Sequence, residues 1–265
     1  MSRFGDATTV KRVDDGRYEI DLDGAFGMAE AVNGGYLMAV LGRAAVDVSP
    51  HAHPLSTATT FLRTARPGRA EIVVDQRRAG RTTATALVTL RQDDKVLTEA
   101  LITTATLDGA AVPGYLGDRP VPGLPPIEKC LDFSQGTPEA QEGFASCVDM
   151  HFDPATMGWL SGEPSGRPEL RAWFRLRDEH APDPFVLALA VDALPPVALN
   201  AGARGWSPTV ELTWTLRALP APGWLAVYGT GRMVSDGWFD EEVEVWDETG
   251  RLVAQSRQIA RLGRG

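Results

Sequence analysis

One grammar is spelled twice along this chain: an apolar run at helical spacing, then strand-length segments parted by turn residues. In the first half Gly34-Gly35 opens the run YLMAVLGRAAV, whose apolar positions recur as on a helix over 34–48. Segments 55–64, 70–78, 82–91 and 96–107 then alternate or concentrate Thr, Val, Ile and Leu, as strands do. Arg66-Pro67-Gly68, Ala79-Gly80-Arg81 and Asp93-Asp94 part them. In the second half Pro184 opens a helical run over 184–194, and 209–217, 224–233, 238–246 and 252–262 read as strands. Pro220-Ala221-Pro222-Gly223, Ser235-Asp236-Gly237 and Asp247-Glu248-Thr249-Gly250 fall where the first half has its turns. Phe61-Leu62-Arg63 and Thr215-Leu216-Arg217 each stand just before a Pro/Gly turn, a local echo of the duplication.

A helix followed by an antiparallel meander packs by letting the sheet curl around the helix and bury it on one face. A single unit of that kind leaves a sheet edge open, and a second unit beside it extends the sheet and protects the edge. The expected class is therefore α+β, with each unit an antiparallel sheet wrapped around a central helix. The units are 1–108 and 146–265. Between them 109–145 reads as a Pro-rich linker, with Pro113, Pro120, Pro122, Pro125, Pro126 and Pro138 and little periodicity. The paired sheet still ends in two edges, which is compatible with a homo-oligomer.

Composition narrows the function. Across 265 residues, 43% hydrophobic residues and seven Trp exclude a disordered chain. A formal charge of -9 argues against nucleic acid as a partner, since phosphates need a basic face. The start MSRFGDATTV has no apolar signal core, and no apolar run approaches the roughly 18 residues of a membrane span, so the expected location is cytoplasmic. Cys130 and Cys147 belong to no CxxC or Cys/His cluster and read as reduced and structural. His51-Ala52-His53 lacks the further ligands a zinc needs, so no metal is expected. Trp206, Trp214, Trp224, Trp238 and Trp246 read as core and interface aromatics.

Several stretches, in order and at similar spacing, carry a family resemblance: Gly34-Gly35, Phe61-Leu62-Arg63, Arg78-Ala79-Gly80-Arg81-Thr82, then DALPPVAL at 192–199, TVELTWTLR at 209–217 and GRLVAQSRQ at 250–258. In these the chain resembles the acyl-CoA thioesterase II family, of tandem (double) hot-dog fold. The resemblance implies hydrolysis of fatty acyl-CoA to free acid and CoA by a water that an Asp, a Thr and a Gln position. Matched residue by residue, these fall on Asp192, Thr209 and Gln258. CoA would be part of the substrate, and no cofactor is implied. The chain departs from the family in a shorter segment between Asp192 and Thr209, and in Leu55-Ser56-Thr57 on the first-unit strand expected to face the site.

The residue types suit that chemistry. A carboxylate can take a proton from water, and a hydroxyl and an amide can hold that water in place. The N–H groups at the helix start are suitable donors to an oxyanion, a role that falls to Gly35. Arg78 and Arg81, as Arg-x-Gly-Arg at a hairpin, suit the phosphates of CoA, although such arginines are more often solvated. A Ser or Cys nucleophile needs a His partner, yet the chain has four His and no GxSxG elbow. The alternatives are a non-catalytic acyl-CoA-binding protein of the same fold and an acyl-CoA hydratase or dehydratase, the latter needing a His paired with an acid.

Overall fold

The computed structural model describes residues 2–263 except 29, 121–122, 134–142 and 179. A short helix α1 (Arg3–Ala7) precedes strands β1 (Lys11–Asp14) and β2 (Arg17–Leu22) and the small ribbon β3 (Gly27–Met28) and β4 (Ala31–Val32). Helix α2 (Gly34–Asp47) follows, with β5 (His53–Phe61), β6 (Gly68–Ala79), β7 (Ala84–Gln92) and β8 (Lys95–Ala105). After the linker region come β9 (Leu131–Asp132), α3 (Phe144–Cys147), β10 (Val148–Phe152) and β11 (Glu169–Leu176). Helix α4 (Pro184–Ala190) leads into β12 (Thr209–Leu216), β13 (Leu225–Thr230), β14 (Val234–Ser235), β15 (Trp238–Trp246) and β16 (Leu252–Arg261).

All the large strands join one sheet in the order β1-β2-β6-β7-β8-β5-β12-β16-β15-β13-β11-β10-β9, with β14 paired to β15. Every pair is antiparallel. The seam between the halves is β5 against β12, where Thr57 faces Trp214 and Thr60 faces Glu211. Moving outward from the seam, β5-β8-β7-β6-β2 repeats as β12-β16-β15-β13-β11, so the duplicated sequence has become a near two-fold sheet. The expected tandem hot-dog fold is what the chain adopts.

Burial follows the sequence period. Along β7, Ala84, Ala86, Val88 and Leu90 point inward while Thr85 and Thr89 do not. Asp93 and Asp94, at φ 49° and 59°, make the two-residue turn whose twist suits a tight hairpin into β8. Ten of the residues of α2 are buried, and its small residues let α4 come backbone to backbone. A Cβ on Gly35 would lie 2.7 Å from the Ala188 carbonyl oxygen, so glycine is needed there for contact rather than for a turn.

Three differences from the sequence reading have physical causes. The second helix ends at Ala190 rather than 194, because Pro195-Pro196 cannot be preceded by a continuing helix, and the chain turns out at Asp192. Strands β2 and β11, which lead into each helix and pair with β6 and β13, lie outside the helix-then-meander pattern. The described residues of 108–142 hold a turn at Ile127–Lys129 and the strand β9. They also pack on the second half: Trp173 Nε1 donates to the Pro125 carbonyl at 2.9 Å, and Leu124 sits against Ala226, Tyr228 and Trp246. Among the described residues no helix is long and apolar enough to cross a membrane.

Candidate active site

Asn33 caps α2, its Oδ1 accepting from the Tyr36 N–H at 3.0 Å. Its Nδ2 reaches the other half of the molecule, donating to the Asp192 backbone carbonyl at 3.1 Å and to Asp192 Oδ2 at 3.3 Å. The Gly35 N–H donates to the same Oδ2 at 2.8 Å. The start of one unit's helix thus grips a carboxylate supplied by the other. Both bonds to the carboxylate go to Oδ2, which leaves Oδ1 as the oxygen available to a water. Burial pushes the Asp192 carboxyl up to about 6, against the opposing pull of the Gly35 and Asn33 donors.

Asp192, Thr209 and Gln258 line one cavity of about 570 Å³ together with Asn33 and Gly34. Thr209 stands at the start of β12, where a register shift between Thr209 and Glu211 breaks the ladder to β16, a local irregularity of the kind that re-aims a side chain. Its Oγ1 donates to Gln258 Oε1 at 2.9 Å, so the hydroxyl keeps its lone pairs for another donor. The apolar wall comes from Val32, Leu37, Phe61 and Ala65, and the rim from the exposed Leu62, Arg63 and Trp206.

Several expectations need correction. The Gly35 N–H, expected to serve an oxyanion, is committed to Asp192, so Gly35 holds the carboxylate. Gly34 lines the cavity instead, and its N–H makes no hydrogen bond to another described residue, as befits the first position of a helix. A Cβ on Gly34 would come within 2.8 Å of Asp192 Oδ2 and 2.9 Å of Phe61 Cζ, so only glycine leaves that approach open. Arg78 and Arg81 are exposed in the β6–β7 hairpin, level with the Ala105 end of β8 and the His53 end of β5. The cavity lies at the Phe61 end, so neither arginine reaches it. Leu55, Ser56 and Thr57 do not line it either, and that wall is made by 61–65 downstream. Trp206 is a 57% exposed rim residue, whereas Trp214 and Trp246 are core.

Glu241 was not singled out from the sequence. It is 2% exposed, accepts from the Val197 N–H at 3.1 Å, and stands opposite Gln258 across β15 and β16. Its signal lay in the alternation of β15, where the inward positions read Phe239, Glu241, Val243 and Val245.

Other chemically suggestive groups are accounted for structurally. Ser2 Oγ meets His180 Nδ1 at 2.7 Å and His180 Nε2 meets Asp183 Oδ2 at 3.4 Å, yet Ser2 and Asp183 are helix caps and none of the three lines the cavity. His51 Nε2 is bonded to the Gly80 carbonyl at 3.0 Å, and His53 Nδ1 accepts from the Leu107 N–H at 3.1 Å. Asp132, Asp149 and His151 bring potential ligand atoms within 4.8 Å of one another, but Asp149 is already engaged by Arg175 and His151.

A site shared by two fused units, with a carboxylate from one gripped by the helix start of the other, defines a tandem hot-dog protein with a buried carboxylate where the units meet. The acyl-CoA thioesterase N-terminal domain profile matches residues 22–107 and the acyl-CoA thioesterase C-terminal domain profile matches 127–262. The chain belongs to the acyl-CoA thioesterase family. An uncharacterised Mycobacterium tuberculosis protein is 30% identical, covering 92% of this chain and 90% of its own. A solved Thermobifida fusca protein with the provisional name thioesterase II is 45% identical, with TM-score 0.92 over 100% of this chain and 98% of its own. A hot-dog protein of unknown function from Alicyclobacillus acidocaldarius shares the fold at 19% identity and TM-score 0.86, over 100% and 99% of the two chains.

Proposed function

We propose that the protein hydrolyses fatty acyl-CoA thioesters by direct attack of a water held by Asp192, Thr209 and Gln258. The observation that carries this reading is the meeting of these three side chains with the α2 start in one cavity that has an apolar wall. Asp192 Oδ1 takes a proton as the water oxygen bonds to the thioester carbon, while Thr209 and Gln258 hold the water in line. The developing oxyanion turns toward the Gly34 N–H at the positive end of the helix. Collapse of the tetrahedral species breaks the carbon–sulfur bond, and the proton on Asp192 passes to the departing thiolate. The acyl chain lies along Val32, Leu37 and Phe61, and Arg63 on the rim takes over from Arg78 and Arg81 as the cation for a CoA phosphate.

A hydratase or dehydratase needs a His beside an acid, and among the described residues no His lines this cavity. A binder that kept the fold would be stabilised by acyl-CoA and release no thiol. The test is a series of acyl-CoAs from short to long chain, read by free thiol. Turnover that disappears in folded Asp192→Asn supports hydrolysis, and binding without thiol release from any member refutes it.

A further inference from the structure

A carboxyl in an inward strand slot is out of place. Phe239, Val243 and Val245 share the inward row of β15 with Glu241, and all four are 2% exposed or less. Burying an acid there without partners would be costly, so its contacts report what it is for. Three elements converge on it. The turn after Pro195-Pro196 gives the Val197 N–H to Oε2 at 3.1 Å. Strand β16 brings Gln258 directly opposite in register. Strand β13 contributes Gly229, whose missing side chain leaves room: a Cβ there would stand 3.6 Å from Glu241 Oε1. The charged groups that Glu241 feels are Asp192, from the segment after α4, and Asp240 on its own strand.

Thr209 donates to Gln258 Oε1 at 2.9 Å, and the buried Glu241 stands opposite Gln258 in the ladder. Without Glu241 the amide could rotate or flip about its last torsion, because one hydrogen bond to Thr209 fixes a direction but not which atom points there. Resting on the hydrolase reading above, we propose that Glu241 is a positioning residue of this site. Its buried carboxyl locks the Gln258 amide from behind.

The electrostatics agree. Burial, with the Asp192 charge added, pushes Glu241 up to about 8 despite the Val197 hydrogen bond and the nearby Gln258 amide, while Asp192 rises only to about 6. Between these values Asp192 is ionised beside a neutral Glu241, which divides two nearby acids into a base and a proton-holding partner. Asp192 titrates against a neutral neighbour, whereas Glu241 can ionise only next to a charge already present. Above about pH 8 a second negative charge develops behind Gln258 and turnover falls.

The experiment compares purified wild type, Glu241→Met and Glu241→Gln by steady-state thiol release across pH, with thermal melting alongside. Met restores the apolar row, so a purely structural role predicts a stable and active protein. The positioning role predicts a melting point at or above wild type, kcat down by about 10- to 100-fold from a misplaced water, and little change in KM. Gln keeps the size and one carbonyl acceptor but presents a donor where the carboxyl had its second acceptor, and it cannot ionise. Glu241→Gln is therefore faster than Met at pH 7 yet slower than wild type, and loses the alkaline fall near pH 8 while keeping the acid limb near 6. Glu241→Met at near-wild-type kcat would overturn the proposal. If Met does not fold, the alkaline limb of Gln decides: its loss supports the proposal and its persistence overturns it. A readout without turnover separates this inference from the hydrolase reading. At pH 7 the infrared band of a protonated carboxyl should vanish in Glu241→Gln and shift in Gln258→Leu. An unmoved band in Gln258→Leu removes the lock even if hydrolysis stands, and a wild type that releases no thiol removes the hydrolase reading even if the band shifts.

Discussion

The internal duplication sets the start of α2 and the start of α4 in equivalent places, yet their surroundings differ residue by residue. Asn33 caps one helix and Asp183 the other. Asn33 takes only the Tyr36 N–H, so the N–H of Gly35 can hold Asp192 and that of Gly34 stays open toward the cavity. Asp183 takes both the Phe185 and Val186 N–H groups at 2.8 Å, and Pro184, at the position of Gly34, has no N–H to give. Where Asp192 lies against Gly35, the equivalent Gly42 lies against Phe185, whose ring carries the Arg43 guanidinium 4.2 Å from its centroid. Duplication built the fold twice, and a few side chains at one helix start decided where a base and a free donor could meet.

The sharpest way to break this comparison is to exchange the acids at the two helix starts. Asp192→Asn keeps the size and removes the proton acceptor, so kcat should fall by about 100- to 10,000-fold in a protein that still folds. Asp183→Ala removes a cap, so thermal unfolding should show a loss of about 1 kcal/mol with kcat near wild type. Equal losses of kcat in the two variants would erase the distinction. Next in size, Thr209→Val and Gln258→Ala should each slow thiol release by about 100-fold. Combining either with Asp192→Asn should cost far less than the product of the single losses, because the residues act on one water.

The glycines sharpen the comparison further. Gly34→Ala puts a methyl 2.8 Å from Asp192 Oδ2, so kcat should drop by about tenfold, short of the roughly 100-fold that a full ångström of misplacement costs. Gly42→Ala meets the Phe185 ring at an ordinary 3.6 Å, and should raise stability by about 0.5–1 kcal/mol with turnover retained. Smallest is the rim charge. Arg63→Gln should raise KM by up to about fivefold and weaken its salt dependence, while the double exchange of Arg78 and Arg81 to Gln leaves both as they were.

Much of this molecule was legible in the sequence because alternation and turn chemistry are local. The reading of 238–246 as a strand coincides with β15, and Asp93-Asp94 marks the β7–β8 hairpin. Strand β2 carries the same signal, with Tyr18, Ile20 and Leu22 buried in alternation, but it precedes the helix that began the repeated pattern. In β11 the alternation is blurred by Arg171, a buried cation that salt-bridges Asp153 at 3.0 Å. What the sequence could not supply is who is already occupied. The Gly35 N–H is lost to a carboxylate 157 positions away, and the hairpin arginines are carried to the far end of the sheet by strand register. Glu241 was visible as an acid in an apolar row, but its meaning needed Gln258 opposite it.

Asp192 as the base is most directly tested by the pH dependence of kcat in wild type and Asp192→Asn, for an acyl-CoA that the protein accepts. Burial raises Asp192 to about 6, and the base form is the ionised one, so wild-type turnover should climb as pH rises through about 6. The same ionisation should make the fold less stable, since a carboxyl raised in the native state favours folding fully below its unfolded value and loses that contribution as pH climbs through the folded one. In Asp192→Asn the residual rate should show no such rise. A rise near pH 6 that survives in folded Asp192→Asn, or wild-type turnover that is flat from pH 5 to pH 7, would contradict the account.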